Sequence, residues 1–291
     1  MKLKVWILTL LVSPATDIIW RQIANGADTY YVLLILKLVL LGLVTGYERI
    51  IKKNDALSKY LMILVIILSL SSGAQFITQS LDVGYLLSFL PNEAARELTL
   101  FQMVRLISVL ILILILRFGF GFSRPYLFLQ KGQPQSLSPA LPYIGWKKSE
   151  SWGTFGRNLA IIITVVTGLV LFLGADLSDL NLKWPYVAIS ILLAAILAMA
   201  NSFSEEVSYR NALLNPLVDT VGRDHAMFIT AVLFGLAHYQ GVPSGLLGVA
   251  LSSILGFLLA KSMLDTKGMY WAWMIHFLQD ILIFTYLILV S

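Results

Sequence analysis

The chain has 291 residues, of which 58% are hydrophobic and 13% charged, with a formal net charge of +5 and a mean hydropathy of +0.82. A soluble domain carries about 25% charged residues, so the solvated surface is too small for a soluble enzyme or a nucleic-acid-binding protein, and no nucleic-acid partner is expected. The absence of cysteine excludes a disulfide framework, a thiolate nucleophile and cysteine-ligated zinc.

A helix needs about 20 predominantly apolar residues to cross a bilayer. Eight blocks approach that length: 30–46, 60–78, 98–116, 158–175, 186–202, 226–239, 245–260 and 269–290. A ninth, 5–20, is weaker because Pro14 and Asp17 interrupt it. With no cleavage motif after it, a retained short or interfacial helix is expected there rather than a signal peptide. The predicted fold is therefore all-α, a polytopic transmembrane helix bundle of eight clear spans plus a weaker N-terminal ninth. The loop at 118–157 contains Pro125, Pro134, Pro139 and Pro142, and its aromatics Tyr126, Phe128, Tyr143, Trp146 and Trp152 suit a membrane interface. It separates N-terminal membrane helices at 1–117 from C-terminal ones at 158–291. No repeat of fixed period is present.

Placing the loops alternately on two sides puts sixteen Lys and Arg residues on one side and only Arg21, Arg96 and Lys183 on the other. By the positive-inside rule the first side is cytoplasmic, and Ser291 then faces outward. A prokaryotic plasma membrane is the expected location. Lys37 and Arg105 fall inside apolar blocks: Lys37 is expected to snorkel to the interface, and Arg105 to face the bundle interior with no identifiable partner. His225 is expected in a loop.

Ionisable groups within membrane segments are costly and mark function by default. Three clusters stand out in the back half: Glu205-Glu206-x-x-x-Arg210, Phe234-x-x-x-His238 and His276-x-x-x-Asp280. A helix from 186 to about 214 would run on the order of 40 Å, with Glu205 about 14 Å from its cytoplasmic end. His238 lies about 18 Å and His276 about 10 Å into their own blocks. These depths overlap, so two acids and two imidazoles are expected at one level.

Ser190, Ala194, Ala198, Ser202, Glu206 and Arg210 recur every fourth residue. Small residues on one stripe let helices approach closely, so Glu206 and Arg210 are expected to face protein and pair with each other. That leaves Glu205, on the stripe of Asn201 and Tyr209, as the freer carboxylate. Gly248, Ser252, Gly256 and Ala260 form a second packing stripe. A buried carboxylate and a nearby imidazole can take a proton from water, and a second imidazole can donate to the oxyanion of an attacked amide. Ser204 and Ser208 have no special spacing to a histidine, so water is the preferred nucleophile. Phe234 reads as a packing residue.

The three clusters, in this order, resemble the motifs of the CAAX protease and bacteriocin-processing (CPBP, or Abi) family of intramembrane endopeptidases, which includes the Ras-converting enzymes that clip prenylated tails. The resemblance covers about 186–290. It implies a glutamate-type protease in which Glu205 and His238 activate water, with Glu206 and Arg210 completing the first motif. His276 and Asp280 would form the oxyanion site, although many members carry asparagine where this chain has Asp280. An ionised aspartate cannot donate to an oxyanion, so Asp280 would orient His276 or donate when protonated. The implied partners are the lipid bilayer and a peptide or protein substrate, lipidated in the Ras-converting enzymes. No cofactor is expected. A metal-dependent variant would place zinc on Glu205, His238 and His276, but the H-E-x-x-H signature is missing. The rival class is a transporter, or a non-proteolytic membrane scaffold, using the same buried charges.

Overall fold

The computed structural model describes residues 1–23, 29–81, 84–140, 147–174 and 180–290; the features read at Pro142, Tyr143, Trp146, Ala175 and Ser291 lie outside the described residues. The helices run α1 (Lys2–Val12), α2 (Pro14–Ile23), α3 (Tyr30–Gly46), α4 (Asp55–Ser80), α5 (Glu93–Leu114), α6 (Trp152–Gly174), α7 (Trp184–Glu206), α8 (Leu214–Val221), α9 (Arg223–Ala237), α10 (Gly245–Thr266) and α11 (Tyr270–Leu289). Two-residue strands β1 (Leu137–Ser138) and β2 (Glu150–Ser151) pair antiparallel across the neck of the long loop. The all-α prediction therefore holds.

Among the described residues, seven helices are long and apolar enough to cross a membrane, and α1 with α2, bent by 53°, would make an eighth if the pair is one span. The reading of eight clear spans plus a ninth counted 226–239 as a crossing. That block is α9, whose 15 residues extend only about 22 Å against a hydrocarbon core of about 30 Å. Its first turn is the polar Arg223-Asp224-His225, and the helix stops at His238.

The chain divides into two compact units, Met1–Ser71 with Ser208–Ala260, and Ser72–Val207 with Lys261–Ser291. In the first unit, proline at position 14 follows an extended Ser13 and ends α1. Lys37, 7% exposed, donates to the Ser13 carbonyl at 3.0 Å and to Asp17 Oδ2 at 2.6 Å. It does not snorkel. The helix break offers it a carbonyl and a carboxylate, and a buried charge is held where it is paired. His225 sits in the first turn of α9, where its Nδ1 accepts from Trp6 Nε1 at 3.1 Å. The second small stripe packs as expected: a Cβ on Gly256 would lie 3.1 Å from the Ala231 backbone of α9.

The second unit is built on α7 against α11, its most extensive helix pairing. Ser190, Ala194, Ala198 and Ser202 are fully buried, as the four-residue period predicts, and Ala194, Leu197 and Ala198 pack with Phe284 and Ile288 of α11 and Ala95 of α5. One end of this unit is tied by Asn92, whose Nδ2 donates to Tyr186 Oη at 2.6 Å and to the Ile288 carbonyl at 2.8 Å. Asn92 also caps α5, its Oδ1 accepting from the Ala95 amide. At the other end the long loop docks on the α10–α11 turn: Gln133 N donates to Thr266 O at 2.7 Å and Met269 N to Gln130 O at 3.0 Å. Gly132 (φ +73°) makes this possible, because a Cβ there would lie 2.5 Å from the Thr266 oxygen and 2.6 Å from the Gly268 nitrogen. Trp152 Nε1 donates to Asp265 Oδ2 at 2.9 Å at the same end, where Asp265 also pairs with Lys261.

Candidate active site

The helix predicted from 186 to about 214 forms, but not as one regular α-helix. It runs as α7 to Glu206, widens into a π turn at Val207–Asn211, and resumes as α8, with Pro216 in the first turn where its missing N–H costs nothing. π turns inside α-helices are frequent at functional sites. Here the turn follows directly on the paired carboxylates.

Glu205, Glu206, His276 and Asp280 come together within the second unit. All four are buried, from Glu206 at 0% exposed to Glu205 at 6%. His276 is the centre of the cluster. Its Nδ1 lies 2.8 Å from Glu206 Oε1. Its Nε2 lies 3.4 Å from Glu205 Oε2 and 3.6 Å from Asp280 Oδ2, contacts of charge rather than formed hydrogen bonds. Helical spacing explains the set: His276 and Asp280 are four residues apart on α11, and Asn201 and Glu205 four apart on α7.

Three residues outside the predicted set complete this cluster. Arg105 Nη1 donates to Glu205 Oε1 at 2.8 Å and to Asn201 Oδ1 at 2.9 Å. Gln102 Nε2 donates to the same Asn201 oxygen at 3.0 Å. Asn201 Nδ2 in turn donates to Asp280 Oδ2 at 2.9 Å. Glu205 is thus not the freer carboxylate, because α5 supplies it with a guanidinium. Arg105 was visible in the sequence as a charge inside an apolar block, but its partner stands a hundred positions away, where no local spacing can reveal it. Asn201 was visible only as a member of the Glu205 stripe.

Arg210 and His238 belong to the first unit. The Arg210 guanidinium lies 3.9 Å from the centre of the Phe234 ring, and the His238 ring 4.3 Å from it. Phe234, 1% exposed, is the packing residue expected, and it serves as a platform for both. The His238 Nδ1 lies 2.7 Å from the Phe234 carbonyl. A carbonyl only accepts, so Nδ1 carries the hydrogen and a neutral His238 keeps its lone pair on Nε2.

Gly235, three residues before His238, sets the approach of α9 to α10. A Cβ there would meet Ser253 Oγ at 2.0 Å and the Val249 carbonyl oxygen at 2.5 Å. Gly235→Val is expected to force these helices apart, at a cost of roughly 1–3 kcal/mol. Thermal unfolding in detergent checks this, and a melting temperature equal to wild type would refute it.

Among the described residues, no three His, Asp or Glu side chains are grouped to hold a metal ion. The guanidinium on Glu205 and the Glu206 contact at His276 Nδ1 do not make a metal cage.

Residues 186–282 match the family model described as type II CAAX prenyl endopeptidase Rce1-like. That match covers a third of the chain, and over it the sequence is similar to the Rce1-like CAAX proteases. The Rce1-like segment runs from the third residue of α7 past Asp280 and contains all six predicted site residues. It leaves out α5, and with it Gln102 and Arg105. No curated protein and no solved structure matches the chain. The segment similar to that family lies among helices long and apolar enough to cross a membrane.

Proposed function

We propose that the protein is an intramembrane endopeptidase that hydrolyses a peptide bond near the cytoplasmic face with water activated by Glu205 and His238. The observation that carries this reading is the buried cluster of Glu205, Glu206, His276 and Asp280 inside an Rce1-like segment. Water gives up a proton to the Glu205 carboxylate, with His238 as the second base that the resemblance implies, and the hydroxide attacks the amide carbonyl carbon. His276 and Asp280 hold the resulting oxyanion. As the C–N bond breaks, the proton passes to the leaving amine. Arg210 stacks on Phe234 of the second motif, and Glu206 holds His276 of the third.

The end of the second unit that holds Gln130–Gln133 and the α10–α11 turn is the basic end, with Lys131 and Lys267 beside Arg117, Arg124, Lys147 and Lys148 in sequence. We assign it to the cytoplasm. His276 then lies about 9 Å into α11 from that face, and the C-terminus emerges on the outside of a prokaryotic plasma membrane. A transporter reading draws on the broken α1–α2 pair with its Lys37–Asp17 contact, since discontinuous helices mark many transport sites.

Purified protein in liposomes separates the two. Cleavage of a quenched farnesylated CAAX peptide, with products located by mass spectrometry, is the expected result. It should persist after chelation in a preparation shown by elemental analysis to be metal-free. Proton-coupled uptake without cleavage would overturn the protease reading, and loss on chelation with recovery on zinc would overturn the metal-free mechanism.

A further inference from the structure

The hydrogen bonds from α5 do more than neutralise a carboxylate. Gln102 and Arg105 are three residues apart, on one face of α5. Both point a donor at a single acceptor, Asn201 Oδ1, at 3.0 and 2.9 Å. An asparagine amide has an acceptor end and a donor end. With two donors fixed on one side, only the orientation with Oδ1 toward α5 is favourable, because the flipped amide would set N–H groups against N–H groups. That orientation turns Nδ2 toward Asp280, 2.9 Å away. Arg105 meanwhile holds Glu205 Oε1 at 2.8 Å. The cluster is buried, so each directed bond is worth more than it would be in water and each broken one costs more.

We propose that Arg105 and Gln102 are positioning residues of the active site, fixing Glu205 directly and Asp280 through the orientation of Asn201. The proposal rests on the catalytic reading of Glu205. It extends the site to a helix outside the Rce1-like segment: residues 186–282 carry the reacting groups, and α5 aims two of them. An arginine fits this task better than a lysine, because its planar fork can reach an amide oxygen and a carboxylate in fixed directions, while an ammonium is a point charge.

The test uses the full-length protein in liposomes with the quenched farnesylated CAAX peptide, comparing wild type with Arg105→Ala, Arg105→Lys, Gln102→Leu and Glu205→Gln. Misplacement of a reacting group by about 1 Å can cost on the order of 100-fold. Arg105→Ala is therefore expected to lower kcat about 30- to 100-fold with KM within about twofold of wild type. Arg105→Lys should recover part of that loss, and Gln102→Leu should lower kcat about 5-fold with its melting temperature kept. Wild-type kcat in Arg105→Ala overturns the proposal, as does a rise in KM that accounts for the whole effect. If Arg105→Ala fails to fold, the Lys and Leu variants decide: unchanged kcat in both overturns it. Glu205→Gln keeps the failures apart. If it is inactive while Arg105→Ala is normal, only the positioning proposal falls; if Glu205→Gln is fully active, the catalytic reading falls and takes this proposal with it.

Discussion

Glu205→Ala and His238→Ala are each expected to abolish cleavage while the protein still inserts and folds. General-base catalysis contributes about 10²- to 10⁴-fold, and the proposed mechanism has no third group to take the proton from water. Glu205→Gln is the cleaner variant, because a glutamine oxygen still accepts from Arg105, whereas alanine leaves the guanidinium facing a gap. For His238 the preparation is already in the structure. The Phe234 carbonyl takes Nδ1, so the ring presents Nε2 as its basic atom. Normal turnover in either variant would end the water-activation reading.

The second large effect is expected on α11. His276→Ala should lower kcat by about 10²- to 10³-fold, the range for loss of one oxyanion donor. Asp280 is the informative position. Asp280→Asn keeps an oxygen for Asn201 Nδ2 and gains an N–H₂ group, so activity within a few-fold of wild type is expected. Asp280→Ala loses both the acceptor and any donor and should fall about 10²-fold. Inactive Asp280→Asn, measured as kcat on the same peptide, would instead make the carboxylate an orienting group for His276, from which it stands 3.6 Å away.

What could be read in the sequence was what repeats or contradicts its surroundings locally. The buried stripe from Ser190 to Arg210 was legible because a four-residue period survives in α7. The i,i+4 placement of Asp280 beside His276 was legible for the same reason. Proline at position 14 announced the bend between α1 and α2. The misreadings came from partners and lengths that hydropathy does not encode. Block 226–239 is apolar enough to be taken for a span, yet its polar first turn and its stop at His238 leave a helix too short to cross alone. Lys37 looked like a snorkelling residue because the carbonyl of Ser13 that receives it belongs to a helix break 24 positions away. Arg105 and Glu205 are a hundred positions apart, and only packing of α5 on α7 brings them together.

The β1–β2 neck has a practical side. Leu137 stands opposite Ser151, and Ser138 opposite Glu150, so the chain leaves and rejoins the bundle at nearly one point. The paired strands hold the two ends of this excursion together, and each doubling of a connection's length costs only about 0.6 kcal/mol. The neck adjoins the docked end of the second unit, the end from which α11 carries His276 inward. Candidate substrates grafted into that excursion would be presented at roughly millimolar effective concentration. A library of such grafts would turn the search for a substrate into a search for self-cleavage.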